Sequence, residues 1–391
     1  MTVEPGTRRD VVWGRARELA HAAADPLAVE VLELGRAAGR GLAADLVCAT
    51  ALPAFDTAAM DGFAVSGSGP WVVSGCARPG LPWAGARLES GCAVEISTGS
   101  VVPPGAGAVL PVEAAVLVGG RVTGPALPEG KHIRRAGEDA SAGACLAPAG
   151  TPVGPALLGL AAACGYDALP VRRLPRVRAV VTGDELVGHG MPGPGRIRDA
   201  LSPLLPSLIE NLGGGLDELV HVPDRPENAL ADALSARADV FVVTGSTSVG
   251  VTDGLRRLLT ARDAHWIVDA VACRPGHPQL LARLPDGAHV VGLPGNPFAA
   301  LVAAHTLLGP LLAGLSGRPL PRLPYAPLST PVPVPAGRTR LVPVVWDGPA
   351  VRPLGGDRPA FLNGAALADA LAAIPPGTAP HHPIPLLPLH E

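Results

Sequence analysis

Lysine is almost absent from this chain: Lys131 is the only one among 31 lysines and arginines. Any anion chemistry must therefore rest on arginine, histidine, backbone N–H groups or a metal. The arginine bias, together with 49 glycines and 45 prolines, reads as whole-proteome composition rather than a functional choice. Aromatic residues make up 3% of the sequence, and Trp13, Trp71, Trp83, Trp266 and Trp346 follow neither helical nor heptad spacing, which points to core or interface roles instead of a stacking platform. A net charge of −3 and a pI near 6.4 give no electrostatic case for nucleic acid. No uninterrupted apolar run reaches the roughly 18 residues that a membrane span needs. The opening MTVEPGTRRD has no apolar segment of the signal-peptide kind. The expectation is a cytoplasmic protein with no membrane partner. The six cysteines, Cys48, Cys76, Cys92, Cys145, Cys164 and Cys273, contain no C-x-x-C pair and no ligand-like spacing with histidine, so reduced, buried thiols are expected. Neither a zinc signature nor a nucleophile elbow is present.

With 391 residues, the chain exceeds the roughly 250–300 residues at which a single core stops growing, so several domains are expected. Residues 10–41 read as helical, with Val12, Ala16, Leu19 and Ala20 on one stripe and a break at Pro26. From Asp45 the pattern changes to short apolar runs divided by Gly and Pro, a β-rich module that extends to about Pro128. Residues 133–144 read as a turn-rich link, and 151–166 as an Ala/Leu helix with Thr151 as its N-cap. The β module, residues 47–128, is thus an insertion in a helical linking domain made of residues 1–46 and 129–174. Over residues 175–317 strands alternate with helices, with Ser202 a candidate N-cap and QLLARLPDGAHVVGL a hairpin, which argues for a doubly wound α/β domain. Residues 318–391 turn Pro-rich and then strand-like, a small C-terminal β domain whose tail HHPIPLLPLHE is a terminal strand or disordered.

Within the α/β segment, three apolar runs each break into a polar loop. ADVFVVTGSTSVGVTD ends on Asp253, RAVVTGDEL runs into Gly183-Asp184-Glu185, and AHVVGLPGNP runs into Pro294-Gly295-Asn296-Pro297. In an open parallel sheet, ligands gather at the carboxyl ends of strands, where small residues let backbone N–H groups approach a phosphate-like anion. Three such units in one domain suggest one site. Arg172-Arg173 and Arg256-Arg257 read as solvated faces or helix-end charges rather than partner sites.

These loops, taken in order, resemble the molybdopterin molybdenumtransferase family. The resemblance covers roughly residues 45–315 and rests on Pro53 with Phe55-Asp56, Met60 to Val65, Thr98-Gly99, Arg134, Gly137-Glu138-Asp139, Thr182 to Leu186, Asp199, Thr244-Gly245 with Ser248-Val249-Gly250, Pro275-Gly276 and Leu293 to Pro297. It implies an elongated, four-domain homodimer, with a molybdopterin adenylyltransferase as a further partner. The α/β domain would bind the pterin nucleotide, closed over by the partner subunit's inserted domain. The implied reaction inserts molybdate into adenylylated molybdopterin and releases AMP with Mg²⁺. Such a pyrophosphate substrate needs positioning and charge neutralisation more than covalent chemistry. The resemblance assigns Asp253 and Asp224 to Mg²⁺, and Asp253, Asp224, Glu185, Asp61 and Thr98 to catalysis. Gly245, Ser246, Ser248, Gly250, Arg274, His277, Pro294, Gly295, Asn296 and Pro297 become substrate-binding residues.

The chain also departs from the family pattern. Ser246 replaces a glycine, Ala58 a serine and Leu201 an asparagine. Arg274 and His277 stand where the family has two lysines in a Lys-Pro-Gly-Lys element. In the C-terminal domain a family arginine falls on Pro343 and a serine on Asp357, whose carboxylate would repel molybdate. These differences leave an alternative: a divergent paralogue that binds or carries the pterin cofactor, or regulates its synthesis, without inserting metal.

Overall fold

The computed structural model describes residues 9–224, 228–245, 254–379 and 381–390. Its largest element is a sheet in which Gly215–Val222, Arg176–Thr182, Val240–Thr244 and His289–Leu293 lie side by side in that order, all parallel. Leu280–Arg283 then pairs antiparallel to the His289 strand, through the expected hairpin, and to His265–Arg274. The Val240 strand shows why this layer is buried on both sides. Its β-branched and aromatic residues alternate between faces: Val240 and Val242 join a cluster with Leu205, Ile209, Phe298 and Leu311, while Phe241 and Val243 join Leu230, Leu255 and Leu259. Helices therefore cover both faces, which is the doubly wound arrangement. The helix pieces running from Pro297 to Leu315 are long and apolar enough to cross a membrane, but 83% of that window is buried inside the protein.

The sheet does not stop at the α/β domain. Thr339–Asp347 pairs parallel to the His265 strand, with Cys273 opposite Thr339 and Arg274 opposite Arg340, and the C-terminal strands Ala370–Ile374 and Ile384–Pro388 continue from there. The inserted module is a separate six-stranded sheet whose apolar clusters share no residue with those of the α/β domain.

Several local expectations are corrected. Residues 10–41 are not mainly helical: Arg9–Val12 is a strand parallel to the His265 strand, Trp13–Ala22 is a helix on the α/β core, and Val29–Glu33 pairs with Ala168–Arg172. The alternating, β-branched VEVLE favours a strand locally, and a neighbouring strand is there to accept it. Within the expected link, Ile133–Arg134 pairs with Thr57–Ala58. Neither hydroxyl caps as expected. The helix Pro155–Ala163 starts at Gly154 with Pro155 at its first turn, and Thr151 bonds the Pro148 carbonyl instead. The helix Leu201–Asn211 has its N–H groups at Leu201 and Ser202 taken by the Asp199 carboxylate, at 2.8 and 3.0 Å. Burial pushes the Asp199 carboxyl up, but the hydrogen bonds from Ser202 and Leu201 outweigh it and hold the group below its ordinary value. Of the cysteines, Cys48, Cys164 and Cys273 are buried, Cys92 is intermediate, and Cys76 and Cys145 are exposed. The basic pairs are structural: Arg173 makes a two-pronged bond to Asp239, and Arg256 pairs with buried Asp269 while lying over the Trp266 ring.

Candidate functional site

The strand order places Arg176–Thr182 between the two strands that follow it in this sheet, Gly215–Val222 and Val240–Thr244, so the order of connection reverses between the Arg176 and Val240 strands. Their carboxyl ends form the crevice where doubly wound folds bind ligands. Here the backbones crowd together. Gly245 has φ +97, and a Cβ there would lie 2.6 Å from Thr182 Oγ1 and 2.9 Å from Thr182 O. A Cβ on Gly295 would lie 3.4 Å from the Gly245 Cα. Close approach and its left-handed backbone require glycine at 245, whereas a Cβ on Gly295 would make only an ordinary contact; the TG, TG and PGNP loops meet here. Thr182 donates its hydroxyl to the Thr244 carbonyl at 2.7 Å, and the Gly245 N–H reaches the Leu293 carbonyl at 3.1 Å. Thr244 Oγ1 is buried and has no partner among the described residues.

At the rim, Asp184 and Asp224 brace each other. The Asp224 N–H donates to Asp184 Oδ1 at 3.1 Å, and the Asp184 N–H to Asp224 Oδ2 at 3.4 Å. Both carboxylates are exposed, and neither forms an ion pair among the described residues. Asp184 is a neighbour that the sequence reading passed over, although it sits inside the TGDEL motif. Glu185 folds back over Gly183, where a Cβ would meet its carboxylate at 2.8 Å. Ser246, Ser248, Gly250 and Asp253 lie outside the described residues.

Beside the crevice is a small cavity of about 110 Å³ lined by Arg274, Pro275, Arg340, Asp357, Arg358 and Pro359. It is coupled to the PGNP loop, because the Pro359 carbonyl accepts the N–H groups of Phe298 and Ala299, in the first turn of the helix that starts at Pro297. Asp357 does not stand here as a bare repelling charge: it is bonded to Arg340 at 2.5 Å, and the expectation of repulsion is corrected accordingly. The side chains of Arg274 and Arg358 make no ion pair or hydrogen bond among the described residues. They leave two uncompensated cations in the cavity. Pro343 is buried in the Thr339 strand and does not line the cavity, whose cations are Arg274, Arg340 and Arg358. His277 does not line the cavity: its Nε2 lies 2.5 Å from Asp10 Oδ1, which comes from the N-terminal strand.

In the inserted module Asp61 accepts both the Thr98 N–H, at 2.7 Å, and the Thr98 hydroxyl, at 3.0 Å. The backbone bond and then the hydroxyl hold the exposed Asp61 carboxyl below its ordinary value. The pair is preorganised as a unit, and neither residue bonds a crevice residue among those described.

The fold and crevice define a ligand-binding doubly wound α/β protein carrying an inserted and an appended β domain. Family models agree along the chain: the MoeA N-terminal region (domain I and II) matches residues 13–165, the "Probable molybdopterin binding domain" residues 178–314, and the MoeA C-terminal region (domain IV) residues 325–383. The chain is 34% identical over 368 residues to Molybdopterin molybdenumtransferase 2 of Mycobacterium tuberculosis (strain ATCC 25618 / H37Rv), covering 88% of this chain and 90% of that one. It is 34% identical over 355 residues to Molybdopterin molybdenumtransferase of Synechococcus elongatus, covering 85% and 88%. The crystal structure of the molybdopterin biosynthesis MoeA protein from Pyrococcus horikosii superposes with a TM-score of 0.76 at 25% identity, covering 98% of this chain and 100% of that one. The chain belongs to the molybdopterin molybdenumtransferase family.

Proposed function

We propose that this chain is a transferase that inserts molybdate into adenylylated molybdopterin with Mg²⁺-dependent release of AMP. The observation that carries the reading is the adjacency of two sites at the carboxyl ends of the parallel strands. One is a glycine-lined crevice shaped for phosphate; the other is an arginine cavity sized for a small oxyanion. Gly245 and Gly295 allow the substrate's pyrophosphate to approach the backbone. Arg274 and Arg358 supply the charge that a dianion needs to leave water. Holding both substrates in adjoining pockets lowers the entropic part of the barrier, which is most of what a phosphoryl transfer asks of a protein.

The donor set at the crevice rim fits Mg²⁺, which prefers a few carboxylates together with phosphate oxygens and water. Asp224 and Asp184 would hold it there, with Glu185 at the rim, and the resemblance adds Asp253. When bound, the metal would neutralise charge on the phosphate oxygens. Among the described residues the carboxylates gather as this pair and form no cluster of three or more metal-ligating side chains. Incubating the full chain with adenylylated molybdopterin, molybdate and Mg²⁺ should release AMP. Tight pterin-nucleotide binding without AMP release would support the carrier reading instead.

The reading extends to assembly. Asp61 and Thr98 would complete the crevice of a second copy, so the working form is a cytoplasmic homodimer that receives its substrate from an adenylyltransferase. Light scattering that shows an active monomer at micromolar concentration would reject the dimer.

A further inference from the structure

Beneath the arginine cavity lies a buried polar layer that the proposed chemistry does not yet use. Gln279 is 0% exposed, and its Nε2 donates to the Gly276 carbonyl at 2.9 Å and lies 3.3 Å from the Cys273 sulfur. Cys273, equally buried, donates its thiol to the Pro275 carbonyl at 3.2 Å. Burial pushes this thiol up to about 12, so it stays a donor at neutral pH. The carbonyl acceptor at Gly276 fixes which end of the Gln279 amide is nitrogen. That leaves Oε1 buried with no partner among the described residues. An unsatisfied buried acceptor lowers stability, and a methionine of similar size would avoid it.

In a planar trans peptide the C=O and N–H point in opposite directions. With the Pro275 and Gly276 carbonyls held by the buried layer, the N–H groups of Gly276 and His277 turn away from it, and neither donates to a described residue. The turn has little slack, since Gly276 has φ +95 and a Cβ there would lie 3.3 Å from the Ala299 carbonyl. We infer that Gln279, assisted by Cys273, is a positioning residue that fixes the Pro275–Gly276 turn and so holds Arg274 and Pro275, which line the cavity, in place for the oxyanion. This rests on the arginine cavity being the oxyanion site. Gln279 touches no substrate; it acts through the turn above it.

The test is calorimetric titration of molybdate into the full chain, paired with melting curves, for wild type, Arg274→Gln, Gln279→Met, Cys273→Ala and Cys273→Ser. Gln279→Met should weaken molybdate binding about tenfold, the scale of losing hydrogen bonds to a charged ligand, while its melting temperature holds or rises. Cys273→Ala should weaken binding, and Cys273→Ser, which restores a donor to Pro275, should recover it. Wild-type molybdate affinity in Gln279→Met, with affinity lost in Arg274→Gln, would overturn the inference and leave the site reading standing. A lowered melting temperature with unchanged affinity would also overturn it, because it marks a purely structural glutamine. Failure of the wild type to bind molybdate would remove the site reading and the inference together.

Discussion

Replacing Arg274 by Gln isolates the contribution of one cation to the proposed oxyanion cavity. The side chain is exposed and has no partner among the described residues, so its loss should change fold stability by no more than about 0.5 kcal/mol. Its opposite neighbour across the parallel strand pair, Arg340, is already compensated by Asp357, so among the described residues Arg274 is one of two free cations lining a cavity of about 110 Å³. A unit charge about 4 Å from an anionic oxygen is worth roughly 4 kcal/mol at an effective dielectric near 20. Exposure and screening reduce this to the roughly 1.5–3 kcal/mol found for hydrogen bonds to charged groups. The expected loss of molybdate affinity is therefore about 10- to 150-fold. Calorimetry at low and physiological salt, with melting curves as a control, reads this directly. A variant within twofold of wild type, equally folded, would refute the assignment of the cavity.

Other outcomes follow from the crevice and the core. Gly245→Ala should abolish tight pterin-nucleotide binding and cost about 1–3 kcal/mol, because the new methyl meets Thr182 in a left-handed backbone; unchanged binding and melting would contradict the close packing of the loops. His289 is 3% exposed, and burial pushes its imidazole below the ordinary value. Its folded form is neutral, so its contribution to stability is present above the unfolded value of about 6.5 and lost as pH falls from there through the lower folded value. His289→Gln should flatten the dependence of urea stability on pH between 7 and 5, and an unaltered slope would exclude it.

Where the sequence was legible, local chemistry and long-range structure agreed. Val240 to Val243 reads as a buried strand because both of its faces are covered, and Thr244-Gly245 reads as a ligand loop because glycine is needed where two backbones meet. What stayed hidden depends on pairings that no local pattern announces. Arg340 becomes part of the cavity only because the C-terminal domain continues the main sheet and lays Arg340 opposite Arg274. Asp357 looks like an intruding charge until its bond to Arg340 is seen. His277 reads from the sequence as a substrate-binding residue beside Arg274, but a contact with Asp10, far away in sequence, holds its side chain outside the cavity. Ser202 reads as the cap of its helix, whereas the Asp199 carboxylate reaches two of the first N–H groups at once. The Gln279 layer carries no sequence signal, since its meaning lies in which carbonyls it holds.

The central claim is that the phosphate crevice and the arginine cavity act together on two substrates. Single-turnover release of AMP from adenylylated molybdopterin, measured with and without molybdate in the presence of Mg²⁺, tests it most directly. AMP release that requires Mg²⁺, is accelerated by molybdate, and loses that acceleration in Arg274→Gln is the expected result. Release indifferent to molybdate, or absent while the pterin nucleotide stays tightly bound, would contradict it.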